Sequence, residues 1–257
     1  MSAIKISEGV MLVLDRAIID GSSLTLTGQL DRKLYQDVNK VIAAAGGKWD
    51  RRAKAHVFEG LAIDTIEPIL LTGQYSRTKQ DFGQFDTPAE LAERVANLAD
   101  IRPGHSVLEP SAGLGNIAKV ARQFGGLVTC WEIDTKRAER LEGIAHSLNV
   151  GDFLLAQSNP GFDRVVMNPP FARQDDIRHV LHAVSFLKPG GRLAAIMSAS
   201  VTFRDNGLTR DFRSLVERRG GSIERLPDGS FASSGTTVNT CVVVIPNTSP
   251  LHGESGR

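Results

Sequence analysis

The sequence has little cysteine, no long apolar run and almost no net charge, and each shortage excludes a class of protein. The two cysteines, Cys130 and Cys241, lie far apart in strand-like apolar runs, so they indicate neither a disulfide framework nor a zinc site. No stretch reaches the roughly 18 to 20 uninterrupted apolar residues that a membrane helix needs, and residues 1–5 do not begin a signal peptide. We therefore expect a cytoplasmic protein without a membrane partner. The formal net charge is +1, so any basic surface must be local.

What the chain does have is enough apolar residues, 41% of 257, for one α/β core and a small second domain. From about Val107 onward, strand-like runs alternate with amphipathic helical stretches, which predicts a mainly parallel, doubly wound sheet. The predicted strands are 106–109, 127–133, 164–167, 193–198, 222–226 and 238–245. A Gly/Ser-rich loop joins the final two, which indicates an antiparallel pair at the end of the sheet.

Residues 1–80 have a different texture, from which we predict a small α+β domain and a candidate for substrate binding. Short strands at 10–14, 18–19 and 24–27 precede a helix at 34–45 that ends at two glycines. A second domain is predicted at 81–247, a polar linker at 72–84 and a tail at 248–257. Thr87, Pro88 and Glu90 have the spacing of a capping box and predict where the first helix of the second domain begins.

The stretch VLEPSAGLGNIA, residues 107–118, runs from a strand through Gly113 and Gly115 into a helix. Glycines there let backbone amides approach a ligand closely at a helix N-terminus. The spacing also fits the dinucleotide fingerprint, because Glu132 follows about twenty residues later. A plain strand-to-helix turn is the structural alternative.

Glu109, just before the glycines, argues against a dinucleotide because its carboxylate would repel a pyrophosphate. A cofactor with a sulfonium and an ammonium group would tolerate or favour that carboxylate, and S-adenosylmethionine is such a cofactor. A further acid, Asp152, can accept a hydrogen bond from an adenine amino group while Phe153 or Ile133 lines the ring. A simple turn at 150–152 is the alternative there.

A third strand ends in MNPPF, residues 167–171, where two prolines remove two backbone donors and stop the sheet. Together with the earlier segments, this motif resembles class I methyltransferases that modify exocyclic amino groups, most closely the N6-adenine DNA methyltransferases. The resemblance covers about 82–246. The matching segments, in order, are FDTP at 85–88, EPSAGLG at 109–115, Glu132, Asp152 and NPPF at 168–171.

This resemblance implies a Rossmann-like class I methyltransferase sheet over 81–247, S-adenosylmethionine as cofactor, and a double-stranded DNA substrate whose target adenine is flipped into the NPPF pocket. Asn168 and Pro169 would supply a side-chain and a backbone carbonyl to the amine hydrogens, and no metal is required. Pro170 would stiffen the loop, and by resemblance Phe171 would stack on the base.

In this family the FDTP segment folds over the methionine end of the cofactor, so we expect contacts from it and from the strand ends. The expected cofactor-binding residues are Phe85, Thr87, Pro88, Glu109, Pro110, Ser111, Ala112, Gly113, Gly115, Glu132, Ile133, Asp152, Phe153 and Asn168.

Two basic groups could contact phosphate, with a solvated surface as the alternative for each. The first, in the N-terminal region, is interleaved with Trp49 and Phe58, which offer stacking surfaces or serve a small core. It consists of Lys48, Arg51, Arg52 and Lys54. The second flanks the fifth strand and consists of Arg204, Arg210, Arg213, Arg218 and Arg219.

Other functions stay open on these residues. Related enzymes act on exocyclic amines in RNA or on glutamine in protein, and a catalytically idle nucleic-acid-binding module could keep the same fold. Cytosine C5 methylation is disfavoured, because its cysteine nucleophile follows a proline in that family, whereas Cys130 and Cys241 each follow a threonine. The compact chain resembles stand-alone methyltransferases of phages and mobile elements. We expect target recognition from residues 1–80, from the loop after Ser198 or from the loop at 228–237, or else a loose recognition of the target.

Overall fold

The computed structural model describes residues 4–75 and 85–247. The predicted tail, most of the predicted linker and the domain boundary at residue 80 lie outside them. The helices are α1 (Glu8–Arg16), α2 (Arg32–Ala44), α3 (Ala62–Thr72), α4 (Ala89–Leu98), α5 (Asn116–Gln123), α6 (Thr135–Ala138), α7 (Asp175–Val184) and α8 (Gly207–Arg218). The strands are β1 (Ile4–Lys5), β2 (Ile18–Asp20), β3 (Ser23–Thr25), β4 (Lys48–Asp50), β5 (Ala55–Val57), β6 (Gln74–Tyr75), β7 (Ser106–Glu109), β8 (Leu127–Glu132), β9 (Ser147–Val150), β10 (Phe162–Met167), β11 (Leu187–Ser198), β12 (Ser222–Arg225) and β13 (Thr240–Pro246).

A seven-stranded sheet dominates the chain, in the order β12-β13-β11-β10-β7-β8-β9. Strands β7 to β11 run parallel, whereas β13 lies antiparallel between β11 and β12. The predicted α/β class, doubly wound sheet and antiparallel terminal pair are therefore confirmed. The sequence reading missed β9, whose residues Ser147–Val150 are half-buried or exposed and carry a weak apolar signal.

Alternation along the central strands supplies one apolar core to each face of this sheet. Val107 and Val166 point to the face covered by α4 and α5, whereas Leu108 and Val165 point to the face covered by α7 and α8. Both cysteines are buried free thiols in these cores, as the sequence indicated.

The N-terminal region forms a separate four-stranded antiparallel sheet, in the order β2-β3-β5-β4, with α1, α2 and α3 around its own apolar core. The predicted strand at 10–14 is wrong, because these residues lie in α1. Val10, Met11, Val13 and Leu14 are buried there at i, i+1, i+3 and i+4, which is one face of a helix. The predicted linker also begins too early, since α3 extends to Thr72 and β6 follows it.

A buried ion cluster joins this region to the large sheet. Arg204, which follows β11, places Nε 2.6 Å from Asp15 Oδ1 of α1 and Nη1 3.0 Å from Glu67 Oε1 of α3. The three side chains are 1–8% exposed. The cluster therefore fixes both N-terminal helices against the loop that follows β11.

Most members of the second basic group form ion pairs or hydrogen bonds within the protein, which leaves fewer free cations for phosphate contact. Besides Arg204, Arg210 pairs with Asp205 and Arg213 donates to the carbonyls of Val201 and Arg204. Arg219 donates to Asn247.

The predicted capping box is out of register. Helix α4 begins at Ala89 with Pro88 in an extended conformation at the N-cap, so Thr87 lies one residue before the cap. Its hydroxyl instead accepts a hydrogen bond from Asn168. Within the described ranges, the helices are all too short or too polar to cross a membrane.

Candidate functional site

A cavity of about 290 Å³ lies outside the carboxyl ends of β7, β8, β9 and β10. Strand order reverses between β7 and β10, and open α/β sheets bind ligands at such a switch point. The volume is close to the lower end of the usual range for ligand pockets. The residues that line it are Phe85, Pro110, Ser111, Gly113, Glu132, Ile133, Arg137, Gly151, Asp152, Phe153, Leu154, Asn168, Pro169, Pro170, Phe171, Asp175 and His179.

A side cavity of about 20 Å³ adjoins this space and shares Phe85, Ser111, Gly113 and Asn168 with it. Three further expected cofactor contacts, Thr87, Glu109 and Ala112, line this side cavity. The structure thus brings most of the expected cofactor residues together. Pro88 and Gly115 line neither cavity.

Glu109, at the end of β7, is 1% exposed, and its Oε2 has no hydrogen-bond partner among the described residues. Burial raises the pKa of this carboxyl well above its ordinary value, with Glu132 adding to the rise and the Ala118 amide opposing it. A buried acceptor that lacks a partner suits a cationic ligand group, because a positive charge would favour the ionised form. The cofactor expected from the sequence carries two such groups.

Glu132, at the end of β8, holds the glycine turn in place. Its Oε2 accepts from the Gly113 amide at 2.7 Å and its Oε1 from the Asp134 amide at 2.9 Å. Each carboxylate oxygen keeps a second acceptor position, so a ligand hydroxyl can still be bound.

The two glycines of the turn have different surroundings. Gly113 has φ +56°, and a Cβ added there would have Arg137 Nη1 at 3.6 Å as its nearest neighbour, at the cavity wall. Gly115 has φ +78°, and a Cβ there would meet Leu141 Cδ2 at 2.7 Å. Gly113 therefore belongs to the cavity, whereas Gly115 is required for packing.

Asn168 begins the NPPF loop after β10, and its amide is fixed in one orientation. Its Nδ2 donates to the Phe85 carbonyl and to Thr87 Oγ1, both at 3.1 Å. Because a carbonyl oxygen can only accept, the NH₂ group must face Phe85. The buried Oδ1 then has no partner within the described part of the chain. These bonds join the FDTP and NPPF motifs, and Asn168, whose acceptor oxygen has no partner among the described residues, lines both cavities.

The rest of the NPPF loop forms one wall of the main cavity. Phe171 is 2% exposed, and its ring packs edge-on against Phe231 at a centroid distance of 6.4 Å and an interplanar angle of 86°. Stacking of Phe171 on a base therefore stays a prediction.

The far end of the cavity lies at the turn after β9. Asp152 Oδ1 accepts from the Leu154 amide at 2.9 Å and so caps the short helical turn that follows it, and Asp152 also lines the cavity. Phe153 is 2% exposed and packs against His182 and Phe186, whereas Ile133 is 61% exposed. Of the two side chains, Ile133 offers more surface to a planar ring.

Several lining residues were missed by the sequence reading, namely Arg137, Gly151, Leu154, Asp175 and His179. Arg137 lies in α6, with Nη1 3.5 Å from Asp86 Oδ1. His179 and Asp175 are one turn apart in α7, and His179 Nδ1 lies 2.8 Å from the Asp175 carbonyl oxygen. Burial lowers the pKa of His179. No sequence motif marked α7; only its position directly after NPPF could have.

The basic N-terminal group, Lys48, Arg51, Arg52 and Lys54, occupies the β4–β5 hairpin and does not line the main cavity. Phe58 is buried in the N-terminal core, whereas Trp49 is 54% exposed. The alternative in which both aromatics serve that core is therefore right for Phe58 only. No cluster of potential metal ligands occurs in residues 4–75 and 85–247.

No protein-family profile matches this chain. Among curated proteins, it is 28% identical to "Defense against restriction protein B" of Escherichia phage P1 over 187 residues, which are 63% of this chain and 8% of that protein. It is 33% identical to the tRNA (guanine(6)-N2)-methyltransferase of Thermus thermophilus over 126 residues, 41% of this chain and 38% of the relative. It is 30% identical to the type II methyltransferase M.HincII of Haemophilus influenzae over 97 residues, 37% of this chain and 18% of the relative. These matches span well under half the length of each relative.

Two solved structures have a similar fold. The M protein of the type I restriction enzyme EcoKI superposes with a TM-score of 0.55 at 17% identity, over 94% of this chain and 57% of that one. A Listeria monocytogenes protein assigned to the class I S-adenosylmethionine-dependent methyltransferases gives a TM-score of 0.54 at 15% identity, over 70% of this chain and 66% of that one. The chain therefore has the fold of the class I S-adenosylmethionine-dependent methyltransferases, and S-adenosylmethionine is the cofactor of that fold.

Proposed function

We propose that this protein transfers a methyl group from S-adenosylmethionine to the N6 amine of an adenine in DNA. The observation that carries the proposal is the vacant Oδ1 of Asn168, held in one direction by the Phe85 carbonyl and Thr87. An amine that loses electron density during methylation needs an acceptor for its hydrogens, and a preorganised acceptor costs no rearrangement during the reaction.

Three acidic residues around the cavities would each bind a different group of the cofactor. Glu109 would face a cationic group, Glu132 a hydroxyl group and Asp152 an amino group of S-adenosylmethionine. When bound, the cofactor supplies a methyl group on a sulfonium sulfur, which leaves with the bonding electron pair.

The NPPF loop would hold the other reactant. Asn168 Oδ1 and the Pro169 carbonyl accept the amine hydrogens, so that positive charge building on nitrogen is shared and one proton can then pass to solvent. The prolines keep these two acceptors from moving, since each fixes its own φ angle. The target base would reach the loop only after leaving its stack.

Two of the relatives support DNA as the substrate by the functions for which they are named. One is a type II methyltransferase, and the other is a phage protein named for defence against restriction. A DNA methyltransferase of phage or mobile-element type fits both.

A second candidate is methylation of an exocyclic amine in RNA. It is favoured by the identity of 33% to a tRNA guanine N2 methyltransferase over 126 residues. The same acceptor geometry would serve that amine, because guanine N2 is also conjugated to its ring.

The test is transfer of labelled methyl from S-adenosylmethionine to unmethylated duplex DNA, single-stranded DNA, tRNA and a protein extract in parallel, followed by nucleoside and amino-acid mass analysis. We expect N6-methyladenine in DNA. Label confined to N2-methylguanine in RNA would establish the second candidate instead. Methylglutamine in protein, or bound cofactor without transfer to any substrate, would contradict both.

A further inference from the structure

A second cavity, of about 220 Å³, lies in the N-terminal region and takes no part in the site described above. Three of its lining side chains are aromatic, Tyr35, Trp49 and His56, and one is cationic, Lys54. The remaining lining residues are Thr25, Leu26, Gly28 and Leu30. Tyr35 comes from α2 and the other three named side chains from the β4–β5 hairpin.

Sheet register explains why an aromatic surface is left open here. Leu24 of β3 pairs with His56 of β5, which pairs with Trp49 of β4, so the three side chains share one face of the sheet. Leu24 is completely buried, His56 is 6% exposed and Trp49 is 54% exposed. The apolar face thus runs from the core to an edge strand, where Trp49 and the 46%-exposed Tyr35 remain accessible.

His56 carries a buried polar atom that has no hydrogen-bond partner among the described residues. Its Nδ1 is buried and makes no hydrogen bond with any described residue. Its ring packs edge-on against Trp49 at a centroid distance of 5.2 Å. Burial lowers the pKa of His56, so the ring is neutral near pH 7 and Nδ1 either donates or accepts. A buried polar atom without a partner costs free energy unless a ligand or water satisfies it.

The hairpin that supplies Trp49 and His56 also carries four cations, of which Lys54 lines the cavity. Lys48, Arg51, Arg52 and Lys54 are all exposed and form no ion pair with the described residues. Asp50 of the same hairpin stays ionised but forms no ion pair with these four cations, because its Oδ1 accepts from the backbone amides of Arg52 and Ala53 and shapes the turn. The hairpin therefore combines a planar aromatic pocket with unpaired positive charge.

We propose that this second cavity binds one unstacked nucleobase of a nucleic-acid strand. The base would stack on Trp49, its polar edge would satisfy His56 Nδ1, and the hairpin cations would contact the flanking phosphates. Aromatic stacking suits any base, since every base has a π face, and the cations suit any sequence. The cavity thus holds the strand outside the catalytic sheet. This inference rests on the proposed function only for the class of polymer that is bound.

Binding of fluorescein-labelled single-stranded 12-mers of DNA and of RNA to the whole chain, by anisotropy and without cofactor, tests the inference. Trp49→Ala should weaken binding about tenfold, by loss of one stacked base. Arg51→Glu with Arg52→Glu should weaken it further and flatten its salt dependence. The matched controls are Ile18→Ala, an exposed side chain on the opposite edge strand β2, and Lys119→Glu, an exposed cation on α5. Both should bind like the parent.

Intrinsic fluorescence gives a second readout that leaves the pocket unmutated. The chain has two tryptophans, so Trp131→Phe makes Trp49 the only reporter. Addition of unlabelled strand should quench it, because a base stacks on the indole. If Trp49→Ala weakens the binding of DNA or of RNA, the result supports base binding in the pocket. The polymer whose binding is weakened is then the one that the pocket recognises. Absence of quenching, together with unchanged affinity in Trp49→Ala, would overturn it.

The result is independent of methyl transfer. If the chain binds nucleic-acid strands through Trp49 but transfers no methyl group, the proposed function is refuted and the inference about the pocket stands. If the chain methylates adenine and Trp49→Ala binds strands as the parent does, the proposed function stands and the inference about the pocket is refuted.

Discussion

Asn168 carries a hydrogen-bond donor and a hydrogen-bond acceptor on one short side chain, and a single substitution removes both. Its donor side ties Phe85 and Thr87 to the NPPF loop, and its acceptor side is vacant at the cavity. Asn168→Ala should lower the turnover number by about 10²–10³-fold, the usual effect of losing one preorganised hydrogen-bond group at a reaction centre. Cofactor affinity, measured by titration calorimetry, should fall much less. Near-normal turnover would remove the assignment of Asn168.

Asn239→Ala is the matched control, because that amide also donates to a backbone carbonyl, Thr72 O at 3.0 Å, but does not line the cavity. It should cost stability and leave the turnover of the folded fraction unchanged. Equal losses in both variants would mean that the effect of Asn168 is structural.

Glu109 predicts a pH dependence of cofactor binding. Burial raises the pKa of its carboxyl above the ordinary value of 4.5, and a cationic ligand favours ionisation. Affinity should therefore rise as the pH increases above that value, with one proton released on binding, whereas Glu109→Gln should bind weakly at every pH. Calorimetry in two buffers of different ionisation enthalpy measures the proton.

Unfolding of the cofactor-free protein should show the opposite sign. A carboxyl whose folded pKa is raised contributes stability below its unfolded pKa and loses it as the pH rises through the folded value. Glu109→Gln removes that loss, so at alkaline pH the variant should melt at or above the parent temperature. A variant that both binds weakly and melts lower would indicate damage to the fold instead.

At the scale of the element, the turn between β7 and α5 separates ligand binding from packing. Gly113→Ala and Gly115→Ala each place an L-residue at positive φ, which costs about 1–2 kcal/mol. Only Gly115→Ala also drives a Cβ against Leu141, which adds about 1–3 kcal/mol. We expect the larger loss of melting temperature for Gly115→Ala and the larger loss of cofactor affinity for Gly113→Ala. The reverse order would exchange the two roles.

Elements with a strong local signal in the sequence were predictable, and elements whose conformation is decided by tertiary contacts were not. The central strands of the large sheet are buried on both faces, so continuous apolar runs marked them. The short run at 10–14 fits a strand or a buried helical face equally, and packing against the N-terminal core decides for α1. Helix α3 includes Pro68, a residue that argues against a helix interior, and was not predicted.

The residues of the candidate site were likewise predictable only where the sequence carries a local signal. Glu109, Glu132 and Asn168 were found because they stand where predicted strands end, and parallel strands bring those ends to one edge. Asp152 was found as a further acid along the chain, since β9 itself was missed. Arg137, Asp175 and His179 were missed because their approach depends on how α6 and α7 pack, which carries no local signature.

At the scale of the whole molecule, Arg204 links two folded regions through buried charge. Arg204→Ala would leave Asp15 and Glu67 buried without their cation, and loss of one partner of a buried pair costs about 3–5 kcal/mol. Arg210→Ala removes an exposed pair with Asp205 and should cost at most about 1 kcal/mol. Urea unfolding of the two variants measures the difference. Equal midpoints would mean that the ion cluster does not hold the N-terminal region in place.

The position of β13 bears on how the protein acquires activity during synthesis. Strand β13 pairs with β11 from Arg192↔Pro246 to Ser198↔Thr240, yet it follows every other strand of the sheet in the chain. On the ribosome, β11 therefore presents an open edge, with the associated risk of aggregation, until β13 emerges. Phe231, which supports Phe171 from behind, also emerges late. Under the proposed function, a nascent chain would form the turn after β7 before the wall around Phe171 is complete, and the order of synthesis would delay catalytic competence until the sheet closes.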